Sequence, residues 1–291
     1  MIPEALVRLH NLDALEPFEH EAMATRFTLH LAASSADTAL RPIAEAAFRL
    51  LDRLEDQLRF YREGSDVTRL NRAAEGEVIR IDDVTHHCLL VALQVSAASD
   101  DAFDPFAGYA ALTAKDQSIP HHLRDLSPPA PDETSPVMAL DPDQPNITKL
   151  SGKRWLDLGA IGKGAALDAM AQLLQEWDVP AAVLNGGGSS ILVYGSPPNS
   201  IDSKWCVSLP QIAGQPQINL SAPFAFGASG EGFQPGHIIG KTARPQGLVL
   251  APTATEADAL STAALLMPER DLHALLRGGA GYGVVATHQD E

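Results

Sequence analysis

The stretch Leu156 to Met170, "LDLGAIGKGAALDAM", decides how the chain is read. An aspartate precedes glycines that flank Lys163. From Leu167 the apolar residues recur at helical spacing, with Met170, Leu173, Leu174 and Trp177 on one face of a helix over 163–177. A glycine-rich loop running into a helix is how two nucleotide-binding motifs present N–H groups to phosphate. The P-loop needs Gly, four residues, then Gly-Lys-Ser/Thr; here the first position is Asp157 and the residue after Lys163 is Gly164. The dinucleotide fingerprint needs GxGxxG between a strand and a helix. "GAIGKG" has the wrong order, and "NGGGSS" at 185–190 leads into another strand. Both motifs are excluded. Two readings remain: a helix N-terminus whose dipole and Lys163 favour an anion, or a plain turn that starts a helix beside an exposed lysine.

Outward from this stretch, strands and helices intermix without strict alternation. "TRFTLHLAA" alternates Phe27, Leu29 and Leu31 as a strand. Residues 34–65 read as one long amphipathic helix with Pro42 in its first turn, and Val84 to Ala98 as a second helix. "SDVTRLNRAAEG" between them reads as a polar loop or short helix. Residues 120–150 hold seven prolines; 120–136 is predicted to be a mobile surface loop, and "VMAL" with "NITKL" a hairpin. "AAVLN", "ILVYG", "LVLAP" and "GVVAT" are strands, while "TATEADALSTAALLM" and "PERDLHALLR" are helices. Thr253 and Glu256 have capping-box spacing. The expected class is α+β, a mixed sheet packed with helices. The expected organisation is an extension over 1–20 and a single domain over 21–291.

Composition limits the function. The 291 residues are 45% hydrophobic, enough for a full core. The net charge of −16 argues against nucleic acid and anionic membranes as partners, so any anionic ligand needs a local positive field. Cys88 and Cys206 lack the spacing of a metal or redox site and read as reduced, buried residues. No run reaches the length of a membrane span. The N-terminus lacks the pattern of a signal peptide, so a cytoplasmic location is expected.

Several residue patterns carry chemistry. Asp258 and Thr262 lie four apart, so a helix puts a carboxylate and a hydroxyl on one face. Both are hard oxygen donors suited to Mg²⁺, and the small apolar residues flanking them point to a buried setting over a solvated helix face. "DAFDPFAG" carries Asp104 and Pro105 after Phe103, and "GFQPGHIIG" carries His237; a turn and a structural histidine are their plainer readings.

In chain order, "AMATRFTLHL", "LRFYREGSDVTRLNR", "DAFDPFAG", "LDLGAIGKGAALD", "VLNGGGSSILVYG", "AFGASGEGFQPGHIIG" and "LAPTATEADALSTAALLM" form a series. It resembles the ApbE-type FAD:protein FMN transferase family over the chain beyond residue 20. The most specific pieces are "DLGAIGKG…LD", similar to the family's DLGGIAKG…VD, and "ATEADALSTA". The resemblance implies an FAD cleft between two halves of one chain and a Mg²⁺-dependent transferase. Such an enzyme moves FMN from FAD to a threonine hydroxyl of an acceptor protein bearing a flavinylation motif and releases AMP. It also implies a metal site of Asp258, Thr262 and the Ala160 carbonyl, with Lys163 facing the FAD phosphates. Flavin and adenine contacts are expected from Met23, Tyr61, Asn71, Phe103, Asp104, Pro105, Asp157 and Ile239. Asp258 is the expected catalytic residue, and His237 a proton-handling one. Relatives that only hydrolyse FAD to FMN and AMP, or only hold it, define two alternatives: a pyrophosphatase, and a flavin store or sensor. Three departures bear on them. Ala24 replaces the glycine of M-G-T, Ser189 the aspartate of an NAGGD-like turn, and Gly240 the aspartate of H-I-I-D-P-R-T-G.

Overall fold

The computed structural model describes residues 7–115, 117–130, 134–210, 214–230, 242–277 and 281–286. In chain order the elements are β1 (Arg8–Leu9), β2 (Glu16–Ala22), β3 (Thr25–Leu31), α1 (Leu40–Leu58), α2 (Asp66–Arg72), β4 (Val78–Arg80), α3 (Asp83–Ala98) and α4 (Gly108–Ala114). There follow β5 (Met138–Leu140), β6 (Asn146–Lys149), α5 (Gly162–Glu176), β7 (Ala182–Gly186), β8 (Ser190–Tyr194), β9 (Trp205–Ser208) and β10 (Gln217–Leu220). The chain then runs through β11 (Phe224–Gly230), β12 (Gln246–Ala251), α6 (Ala254–Leu266), α7 (Glu269–Leu276) and β13 (Gly283–Ala286).

Seven strands form the main sheet in the order β13-β12-β11-β8-β7-β3-β2. The class is α+β, as expected, but the sheet is not mixed: each pairing of its named strands is antiparallel. Its neighbours are joined by hairpins or by returns that reverse direction, which leaves no parallel crossover to make. The one parallel pairing among the described residues is the isolated bridge between Ala107 and Trp155. Two smaller antiparallel sheets, β1-β9-β10 and β4-β6-β5, complete the fold.

Strand period two explains the layering. On β7 and β8, Ala182, Leu184, Leu192 and Tyr194 point into the larger core with α1, α3, α5 and α6. Val183, Ile191 and Val193 point the other way, into a second core with Trp205 and Val207 of β9. The main sheet is thus covered on both faces along its centre, and β8 is buried throughout. Burial on both faces is why "ILVY" reads as an unbroken apolar run.

The helix α6 is small or apolar on almost every side, with Ala254, Ala257, Ala259, Ala263 and Ala264 buried. It sits unusually close to its neighbours. A Cβ on Gly164 of α5 would lie 2.1 Å from the Ala254 carbonyl oxygen, and one on Gly227 of β11 2.1 Å from that of Ala257. Glycine is required at both positions by space alone. Thr253 caps the helix by accepting from the Glu256 N–H at 3.2 Å, and its hydroxyl donates to the Glu256 carboxylate at 2.8 Å.

Residues 16–22, mostly within the predicted extension, form the edge strand β2 of the main sheet. In the proline-rich stretch, His122 and Leu123 are buried, and "VMAL" and "NITKL" pair as β5 and β6. "SDVTRLNR" is the short helix α2. Both cysteines are free; Cys88 is buried, whereas Cys206 is only half-buried on β9. Among the described residues, no helix is long and apolar enough to cross a membrane.

Candidate active site

The opening stretch meets α6 at one carboxylate. Asp258 Oδ2 accepts from the Gly164 N–H at 2.7 Å, and Oδ1 accepts from the Ser190 hydroxyl at 2.7 Å. The anion at the N-terminus of α5 is therefore a side chain of the protein itself, drawn there by unpaired N–H groups and the helix dipole. Asp258 is buried, and burial pushes its carboxyl up to about 6. The field of Lys163 and the two hydrogen bonds oppose that shift, while Asp168 adds to it. Among the described residues no cation forms an ion pair with Asp258.

One helical turn on, the Thr262 hydroxyl lies 3.4 Å from the Asp258 carbonyl and 3.1 Å from Ser229 Oγ of β11. Ala160 is exposed in the turn just before α5, four residues from the glycine that binds Asp258. The two segments expected to share a metal are thus joined by a hydrogen bond across 94 residues of sequence. No cluster of three or more His, Cys, Asp or Glu suited to a metal occurs among the described residues; a set of one carboxylate, one hydroxyl and one carbonyl would not form such a cluster.

A cleft of about 250 Å³ opens at the same turn, lined by Met23, Tyr61, Lys115, Asp157, Gly162 and Lys163 among others. Met23 and Ala24 are the two central residues of the β2–β3 hairpin, with φ of 50° and 57°. Those values match a type I′ turn, which asparagine and glycine prefer. The Tyr61 hydroxyl donates to Gln117 at 2.6 Å. The Asp157 carboxylate accepts from the Gly159 N–H at 2.8 Å. Burial pushes Asp157 up, against the pull of that bond and of Lys115, and lowers Lys115.

The remaining expected contacts gather behind this wall. Asn71 is buried and grips the Leu156 backbone with both ends of its amide, donating to the carbonyl at 2.9 Å and accepting from the N–H at 2.7 Å. The Pro105 carbonyl accepts from the Asp157 N–H at 2.8 Å. Asp104 accepts from Arg154 at 2.5 Å and from the Phe106 N–H at 2.9 Å. Phe103 is buried in the core. Of the expected contacts, Met23, Tyr61, Asp157 and Lys163 face the cleft, while Asn71 and Pro105 fasten the 156–157 segment that leads into it. His237, Ile239 and Gly240 lie outside the described residues.

Three participants were not singled out from the sequence. Ser190 binds Asp258 from a strand 68 residues away, a distance no local spacing announces. Asp168 anchors α6: its carboxylate accepts from the Ala254 N–H at 2.9 Å and the Thr255 N–H at 2.8 Å. It belongs to the quoted "LD" pair, so its signal was present but had no role attached. Lys115 sits one residue past α4, in a stretch without a motif.

Comparison with known proteins places the fold. The chain is similar in fold to the flavin transferase ApbE from Vibrio cholerae, at 18% identity and a TM-score of 0.71, covering 94% of this chain and 96% of that one. It is also similar to the Pseudomonas stutzeri flavinyl transferase ApbE in its apo form, at 21% identity and a TM-score of 0.72, covering 93% and 94%. The ApbE protein from Thermotoga maritima aligns at 21% identity with a TM-score of 0.71, covering 93% and 94%. No curated protein sequence matches the chain. The sequence profile of the ApbE family, however, matches residues 23–285, nearly the entire chain, and the protein belongs to the ApbE family.

Proposed function

We propose that the protein is a Mg²⁺-dependent FAD:protein FMN transferase. The observation that carries the reading is the Asp258 carboxylate, buried at the N-terminus of α5 next to the cleft lined by Met23, Tyr61, Asp157 and Lys163. The residues fit a magnesium ion: the donors are hard oxygens, and the buried carboxylate has no cation paired with it among the described residues. Asp258, Thr262 and the Ala160 carbonyl would hold the ion, which supplies charge neutralisation to the pyrophosphate oxygens when bound.

The residues of the chain then have separate tasks. Lys163 places positive charge at the mouth of the cleft, where a protein of charge −16 otherwise repels a dinucleotide. Met23 and Tyr61 offer an apolar platform for a flavin ring. Asp258 orients the acceptor hydroxyl, and His237 is assigned to proton handling. In the step itself, the acceptor threonine oxygen bonds to the FMN phosphorus, the pyrophosphate P–O bond breaks, and AMP leaves with the bonding pair. The hydroxyl proton passes to a base. Phosphoryl transfer of this kind depends on positioning and charge, both of which the site supplies.

The test is incubation with FAD, Mg²⁺ and an acceptor carrying an S/D-G-A-T/S-A-T segment. A fluorescent, flavin-bearing acceptor is the expected product. Free FMN and AMP without labelled acceptor would make the protein a pyrophosphatase, and retained FAD without either product a flavin store or sensor.

A further inference from the structure

We propose that Ser190 is a positioning residue for Asp258: its hydroxyl fixes the plane of the carboxylate, whose remaining lone pairs would be held ready for a divalent cation. The inference rests on the reading of Asp258 as a metal ligand. Ser190 is the first residue of β8 and is fully buried. By strand alternation it shares a face with Leu192 and Tyr194, both packed in the larger core. A hydroxyl in such a column needs a partner, because a buried donor left without one keeps its full desolvation cost. Its partner is Asp258 Oδ1 at 2.7 Å.

The Gly164 N–H takes the other oxygen from α5, also at 2.7 Å. One donor would leave the carboxylate free to turn about its terminal torsion, which has broad wells. Two donors, on different oxygens and from different elements, hold it. Each carboxylate oxygen accepts two bonds, so the arrangement still leaves each one capacity for a cation. A side chain at 190 without a donor would keep the fold and lose the alignment.

The experiment titrates Mn²⁺, followed by electron paramagnetic resonance, into metal-stripped, FAD-free protein. It compares the parent with Ser190→Ala, Ser190→Cys, Ser190→Thr and Asp258→Ala. Loss of a group that orients a ligand weakens metal binding by about 10–100-fold, and this is expected for Ser190→Ala. Ser190→Cys, of similar shape but a weak donor, should follow it, and Ser190→Thr should restore binding. In turnover, Ser190→Ala should lower kcat at saturating FAD and leave KM for FAD near the parent value. Mn²⁺ affinity within twofold of the parent in both Ser190→Ala and Ser190→Cys, alongside its loss in Asp258→Ala, would overturn the role of Ser190 alone. A parent that binds no Mn²⁺ would remove the metal reading together with it.

Discussion

Asp258 illustrates how a single residue joins stability to chemistry. Folding raises its carboxyl to about 6 from an ordinary value of 3.8, so the native state binds the proton more tightly than the unfolded chain. Its contribution is most favourable below the unfolded value and is lost as pH rises through 6. The whole effect is at most on the order of 3 kcal/mol. Asp258→Asn, which keeps the shape and removes the charge, should therefore raise the melting temperature of metal-free protein at pH 8, with the gain shrinking towards pH 5. The same variant should lose more than about a hundredfold in FAD turnover. Equal melting temperatures at both pH values would show that burial of the charge is not the cost inferred. Ala24 is the second case. Its φ of 57° is one that a side chain resists, so Ala24→Gly should stabilise by about 1 kcal/mol in urea unfolding.

The elements explain what sequence patterns reveal and what they hide. The helices α1, α3, α5 and α6 were legible because each carries helical spacing or a cap. Thr253 and Glu256 announced the start of α6 correctly. The strand β11, "FAFGASG", was not read as a strand. Its positions facing α6 are Ala225, Gly227 and Ser229, small because the helix lies against them, so large apolar residues occur only at Phe224 and Phe226 on the opposite face. The strand β2, "EPFEHEA", was also missed, since one face carries exposed glutamates that suit an edge. Asn71 and Ser190 could be placed near the site by resemblance or not at all, for their partners lie 85 and 68 residues away. The seating of α6 yields its own prediction. Gly164→Ala should destabilise by about 1–3 kcal/mol in denaturant unfolding, because backbone and not a yielding side chain stands in the way. Asp168→Ala should cost about 1–2 kcal/mol by freeing the N–H groups of Ala254 and Thr255.

Across the whole molecule, the charge of −16 and the Lys163 ammonium in the cleft act at different ranges. Screening length is about 30 Å at 0.01 M ionic strength and about 8 Å at 0.15 M. Added salt should remove the distant repulsion of FAD before it weakens the attraction of Lys163 within the cleft. Stopped-flow association of FAD is therefore expected to accelerate between those two conditions, and a steady fall in rate would show that local attraction already governs encounter. The two-sided burial of the main sheet bears on motion as well. A helix wedged between glycines of a sheet and of a neighbouring helix has no room to slide, so α6 cannot be a moving part. Among the described residues, accommodation of an arriving ligand falls to the rim, at the 23–24 hairpin tip and the 157–161 turn. Amide hydrogen exchange should accordingly be slow throughout α6 with or without FAD, and should slow on binding at those two borders.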